Sequence, residues 1–179
     1  MQSIFPPFCI FVFRLYSIYM KIKKLSLKEK AVQKNIRTTW NLKLLYKSPK
    51  DPQIEKDMQM MEKACADFAK KWREKDFSKP ELLFKSLQDY EQLEEIISTC
   101  HVYAYYALSR EIDTGNQKLT GLITKTQERI VQAINQTLFY SLAIGNITKQ
   151  IQNKILKDVK FKKYKYLLSS IFINEKYQI

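Results

Sequence analysis

Apolar residues recur through the middle of this chain at steps of three and four. Ile54, Met58, Met61, Cys65, Phe68 and Trp72 follow one another at steps of 4, 3, 4, 3 and 4, the repeat of a helix with one buried stripe. Glu55, Asp57, Glu62, Lys63, Lys70 and Lys71 fall on the opposite, wet face. The start of this helix is marked by Asp51, whose carboxylate can accept from the first free N–H groups, and by Pro52, which tolerates only the first helical positions. A second run carries Leu83, Leu87, Tyr90, Leu93, Ile97, Cys100, Ala104 and Leu108, after Ser78-Lys79-Pro80-Glu81 with the spacing of a capping box. Its period allows one continuous helix or a bend near Gln88–Glu91 and does not choose between them.

Asp113-Thr114-Gly115-Asn116 closes that run. A third helix is predicted on Leu119, Ile123, Ile130, Ile134, Leu138 and Leu142, stopped by Gly145-Asn146. Thr148 can cap a shorter fourth that carries Ile151 and Ile155. Near the end, Leu167, Leu168, Ile171, Phe172 and Ile173 form an apolar face. Either it packs back on the earlier helices, or it is an uncovered patch that calls for a partner. With 3 Gly and 5 Pro in 179 residues, a β protein with frequent turns is excluded, and the expected fold class is all-α, with several long antiparallel amphipathic helices.

The two ends differ from this body. Residues 38–52 (TTWNLKLLYKSPKDP) are too apolar for a linker yet end in turn residues, which predicts a strap folded back into a groove between helices. Residues 1–37 form an apolar and then Lys-rich extension. Its apolar run, Ile4 to Phe13, is half the roughly 20 residues a spanning helix needs. Lengthening it would place Arg14 mid-span, at about 2.5–3.5 kcal/mol. No cation precedes the run, and no Ala occurs before Ala31 to form a signal-cleavage site. Two readings stand: a membrane-associating or weakly targeting segment, or a true start at Met20 with residues 1–19 lying upstream of it. The second is favoured, and a transmembrane protein is not expected.

Charge changes the picture little. The net +13 resides in residues 1–39 (+7) and 149–179 (+6), and the body between them is neutral. Of the 31 cations 26 are Lys, whereas paired phosphate or base recognition favours Arg. Solvated lysine faces explain the excess, and no nucleic-acid partner is expected. The three cysteines (Cys9, Cys65, Cys100) have no C-x-x-C spacing, which argues against a disulfide framework or zinc knuckle and fits a reducing cytoplasm.

Candidate chemistry is scarce. His101 is the one histidine, so a zinc helix with two His four residues apart cannot be built, and a structural role is expected for it. Cys100 and His101 are adjacent and would point about 100° apart on a helix, so they do not face each other. Glu94-Glu95 belongs to a wet face, and Met58, Met60 and Met61 are packing residues before they are soft-metal ligands. No phosphate-cradling loop and no G-x-S-x-G elbow occurs. No catalytic, cofactor-binding or metal residue is therefore assigned.

Trp40-Asn41-Leu42-Lys43-Leu44-Leu45-Tyr46, followed by Asp51-Pro52 and an amphipathic helix, is similar to the start of the oligoendopeptidase F family of thimet-oligopeptidase-like zinc metallopeptidases. Tyr90-Glu91, Tyr103-Ala104, Asp113-Thr114, Gln127-Glu128, Leu138-Phe139-Tyr140 and Tyr164-Lys165-Tyr166-Leu167 recur in the family's order. The resemblance covers about 140 residues, from Ile36 onward. It implies that residues 38–179 are the helical N-terminal region of a larger helical peptidase with an enclosed channel. The family hydrolyses short peptides with zinc held by H-E-x-x-H and a downstream Glu, all in a part this chain lacks. Trp40, Leu42, Leu45, Tyr46, Asp51 and Pro52 are then structural family-like positions. The chain supplies channel-wall helices and would have the missing catalytic part as its partner. An alternative from another class is a free-standing helical interaction module whose basic ends engage an acidic partner, nucleic acid or a membrane surface.

Overall fold

The computed structural model describes residues 41–174, which lie within the second of the chain's two units, Asn41–Ile179. They form seven α-helices and two short 3-10 segments, with no strand among the described residues. The fold is all-α. A 3-10 turn at Leu42–Leu44 leads to α1 (Pro52–Trp72), α2 (Pro80–Thr99), α3 (Val102–Ile112), α4 (Gln117–Asn135), α5 (Leu138–Gly145) and α6 (Lys149–Lys157). A second 3-10 segment, Val159–Tyr164, precedes α7 (Lys165–Asn174).

Helix α1 is the axis of the array and buries the stripe its sequence predicts: Ile54, Met58, Met61, Cys65, Phe68 and Trp72. It packs against α2, α3 and α4. Along the α1–α2 contact Trp72 meets Asp89, Phe68 meets Tyr90 and Met58 meets Cys100, so the two helices run antiparallel. Along α1–α4 Glu55 and Glu62 meet Arg129, and Arg73 just beyond α1 meets Gln136, so α4 lies alongside α1 in the same sense.

The second predicted run is two helices, and the joint is at Cys100–His101 instead of Gln88–Glu91. Local competition for carbonyls accompanies it. Ser98 and Thr99 turn their hydroxyls back onto the Glu95 and Ile96 carbonyl oxygens (2.8 and 2.9 Å), and Cys100 leaves the helix at φ −76°, ψ 94°. The third run is also divided, at Gln136–Thr137. There the Thr137 hydroxyl and N–H both donate to the Ile134 carbonyl (2.8 and 2.9 Å), tightening the last turn.

The buried face also differs from the predicted stripe. Leu119, Thr126, Ala133 and Tyr140 are buried at seven-residue intervals, with Thr137 and Ile144 beside them, while Leu138 and Leu142 of the predicted stripe are exposed. Small residues at 126 and 133 fit a close approach of α4 to its neighbours, with Ile123, Ile130 and Ile134 half-buried at the flanks.

The capping box is not formed either. Lys79 occupies the N-cap of α2. Asp76 accepts both the Ser78 N–H (3.0 Å) and its hydroxyl (2.6 Å), and Glu81 instead receives Lys160 at 2.7 Å. Thr148 does stand at the N-cap of α6, without a side-chain bond to its backbone.

The core has two centres. Tyr140 lies between Phe68 (centroids 5.1 Å), Phe77 (5.2 Å) and Tyr90 (5.0 Å), and its hydroxyl meets Ser86 Oγ at 2.8 Å. Ser86 in turn donates to the Leu83 carbonyl, so the buried hydroxyl pair is satisfied. The other centre sets Phe161 and Tyr164 of the second 3-10 segment edge-on to Phe84 of α2 (5.7 and 6.0 Å). Helix α7 packs on α5 and α6, with Leu168 and Phe172 buried and Leu167 and Ile171 half-buried. The apolar face at 167–173 is therefore covered by the chain's own helices, apart from Ile173.

Candidate functional site

The family-like segment is a strap held at two points. Trp40 lies outside the described residues. Leu42 and Leu45 are half-buried on and beside the first 3-10 turn, which touches α3. Tyr46 is the anchor: it is 3% exposed, lies edge-on to Tyr105 at 5.3 Å, and donates its hydroxyl to Asp57 of α1 at 2.7 Å. Burial first, and then the Asp57 carboxylate, push its phenol far above the ordinary range, so it stays a donor. Tyr106 of α3 donates to the Pro49 carbonyl at 3.2 Å and closes the other side of the strap.

Asp51 is the N-cap of α1, with Pro52 exposed at the first helical position. Its carboxylate accepts from the backbone N–H groups of Gln53 (3.0 Å) and Lys47 (2.8 Å). Those donors hold its pKa below the usual carboxylate value. The segment's anchoring residues thus tie the strap to α1 and α3, a structural task. Truncating Tyr46→Ala should lower stability by about 2–4 kcal/mol, by analogy with other buried aromatic truncations. It should also free the strap, so that trypsin cuts at Lys47 and Lys50 well before the helical body. Unchanged cleavage there would remove Tyr46 as the anchor.

No arrangement among the described residues combines a nucleophile, a base and an orienting group. Cys65 is fully buried, and burial first pushes its thiol up to about 11, so it is a thiol and no nucleophile at neutral pH. Cys100 is half-buried, faces Met58 Sδ at 3.8 Å, and has its pKa raised by burial. His101 is exposed in the joint between α2 and α3, where its carbonyl accepts from the Tyr105 N–H. Met58 and Met61 are core residues, and Met60 is exposed. Among the described residues no group of three or more His, Cys, Asp or Glu could hold a metal ion.

A polar cluster between α1 and α4 escaped sequence reasoning. Arg129 of α4 extends a double fork onto α1. Its Nε and one terminal nitrogen donate to Glu62 (2.6 and 3.0 Å), and both terminal nitrogens donate to Glu55 (2.8 and 2.9 Å). The guanidinium is raised by these two partners, and Glu55 is held below its ordinary value, first by Arg129. Gln59, Lys63, Ala66, Gln132 and Gln136 border a shallow open depression beside it. Every carboxylate oxygen of the pair already faces the fork, so the cluster clamps two helices and offers no vacant donor set. One signal pointed to it: Glu55 and Glu62 are seven residues apart on one wet face.

No described helix is long and apolar enough to cross a membrane. No protein-family model matches this chain, and neither a curated protein nor a solved structure is found similar to it.

Proposed function

We propose that this chain is the N-terminal helical wall of an oligoendopeptidase F-like zinc endopeptidase of the cytoplasm that hydrolyses short peptides. In this reading it supplies scaffold and carries no catalytic group. The observation that carries it is the ordered motif set that opens with Trp40-Asn41-Leu42 and Leu45-Tyr46 and passes to Asp51-Pro52. Zinc and its general base would belong to a H-E-x-x-H helix and a downstream Glu outside this sequence. The covered face of α7 withdraws one supporting argument, an apolar surface awaiting the missing part, so the reading rests on the motif order.

The same covered face favours a second reading, a free-standing helical interaction module. The two make different predictions. Coding sequence adjoining this one is expected to encode H-E-x-x-H in a helical context. The purified chain is expected to show no chelator-sensitive cleavage of an internally quenched peptide, and to support it when the adjoining polypeptide is added. Unrelated adjoining sequence, or zinc-dependent turnover by this chain alone, would overturn the proposal.

A further inference from the structure

The second 3-10 segment sorts its side chains into three rows, because residues three apart eclipse one another in that helix. Phe161 and Tyr164 form the inward row and pack on Phe84. Lys160 and Lys163 form a second row matched to acids of α2. Lys160 reaches Glu81 at 2.7 Å, and Lys163 reaches Glu91 at 2.6 Å. Val159 and Lys162 form the outward row, and Lys165 and Tyr166, the exposed first residues of α7, follow it.

This outward corner is unlike a merely solvated lysine face. Val159 is 82% exposed and Tyr166 89%, the two most exposed large hydrophobic residues of the C-terminal region. They alternate with Lys162 and Lys165, and with Lys157 at the end of α6. None of those three lysines has a carboxylate partner among the described residues. The one acid within the corner, Asp158, is turned to the Lys160 N–H at 2.8 Å, capping the segment. Exposed apolar tips among free lysines suit a soft, negatively charged surface into which a Tyr ring and a Val can dip while lysine heads stay at headgroup level. Nucleic acid would use the lysines but leave Val159 without a role, and the corner holds no Arg for phosphate forks.

We propose that the corner formed by Lys157, Val159, Lys162, Lys165 and Tyr166 is a weak, salt-sensitive contact surface for an anionic lipid bilayer. The proposal is independent of the peptidase reading and is tested without any hydrolysis assay. The full chain is to be sedimented with vesicles of phosphatidylcholine containing phosphatidylglycerol, and with phosphatidylcholine alone, at low and high salt. Binding is expected only to the anionic vesicles and should fall as salt is raised. Each lysine near such a surface strengthens binding roughly fivefold. Lys162→Glu with Lys165→Glu should therefore weaken binding at least tenfold.

Val159→Ala with Tyr166→Ala, at positions too exposed to affect folding, should weaken binding several-fold and leave its salt dependence in place. Residues 1–39 carry +7 of their own, so the corner variants are decisive. If both bind like the parent chain, the proposal is overturned. It is equally overturned by no binding, by equal binding to neutral vesicles, or by variant-sensitive retention on single-stranded DNA with none on vesicles.

Discussion

Replacing Tyr140 by Ala is expected to be the most damaging single change in the chain, at about 3–5 kcal/mol, the range for buried aromatic truncations. The side chain is 1% exposed and meets Phe68, Phe77, Tyr90 and Phe139, so its loss opens a cavity where α1, α2 and α5 converge. A domain of this size is stabilised by only about 5–15 kcal/mol, so a large part of the total would go. Tyr140→Phe separates packing from polarity. It keeps every ring contact and removes only the bond to Ser86, whose hydroxyl retains the Leu83 carbonyl. A loss of about 1 kcal/mol is expected for that variant. Denaturant melts of the two decide the matter: equal losses would mean that the hydroxyl, and not the ring, holds this centre together.

Arg129→Met should also destabilise the chain, by about 1–3 kcal/mol. That figure is discounted from fully buried pairs because Glu55 is half-exposed and Glu62 about one-third exposed. The substitution leaves two carboxylates seven residues apart facing an apolar side chain. Arg129→Lys keeps the charge but not the fork, and should lie between the two. The clamp also has a pH signature. Arg129 lowers the pKa of Glu55 in the folded state. Its contribution is therefore present above the unfolded carboxyl value, about 4.3, and is lost as pH falls through the lower folded value. Stability of the parent chain should decline below about pH 4.5 more steeply than that of Arg129→Met. Parallel declines would show that the pair is not coupled to folding.

Legibility in the sequence followed how locally each feature is determined. The α1 stripe was legible in full because one helix face is set by a short-range period and a clear start at Asp51-Pro52. The joints at Cys100–His101 and Gln136–Thr137 were not, since apolar spacing passes through both without a Gly or Pro. The usable signal was weak: Ser98, Thr99 and Thr137, whose hydroxyls compete for carbonyls. The stripe predicted for the third run was out of phase on both sides of the second joint. Leu138 and Leu142 were placed inside, and Tyr140 and Ile144 took their place. In the strap, Tyr46 and Asp51 could be recognised as folded back, but the Asp57 acceptor depends on how α1 is presented. Arg129 lies 67 and 74 residues from its carboxylates, a separation no local pattern reports. The covering of α7 was an open alternative, because burial between α5 and α7 is a tertiary fact.

The turns of this fold share one property with a wider meaning. Among the described residues neither a glycine nor any other residue has a positive φ, even at the joints that divide the two long runs. A Cβ built on Gly115 or Gly121 would meet nothing within 4 Å. The turn at Gly115 is therefore not reserved for glycine. Mutation can drift through these joints without a stereochemical toll, and the fold is guarded by its aromatic centres and by the Arg129 clamp. Distant relatives of this region would then keep rings and charge pairs while their turns lost all visible likeness.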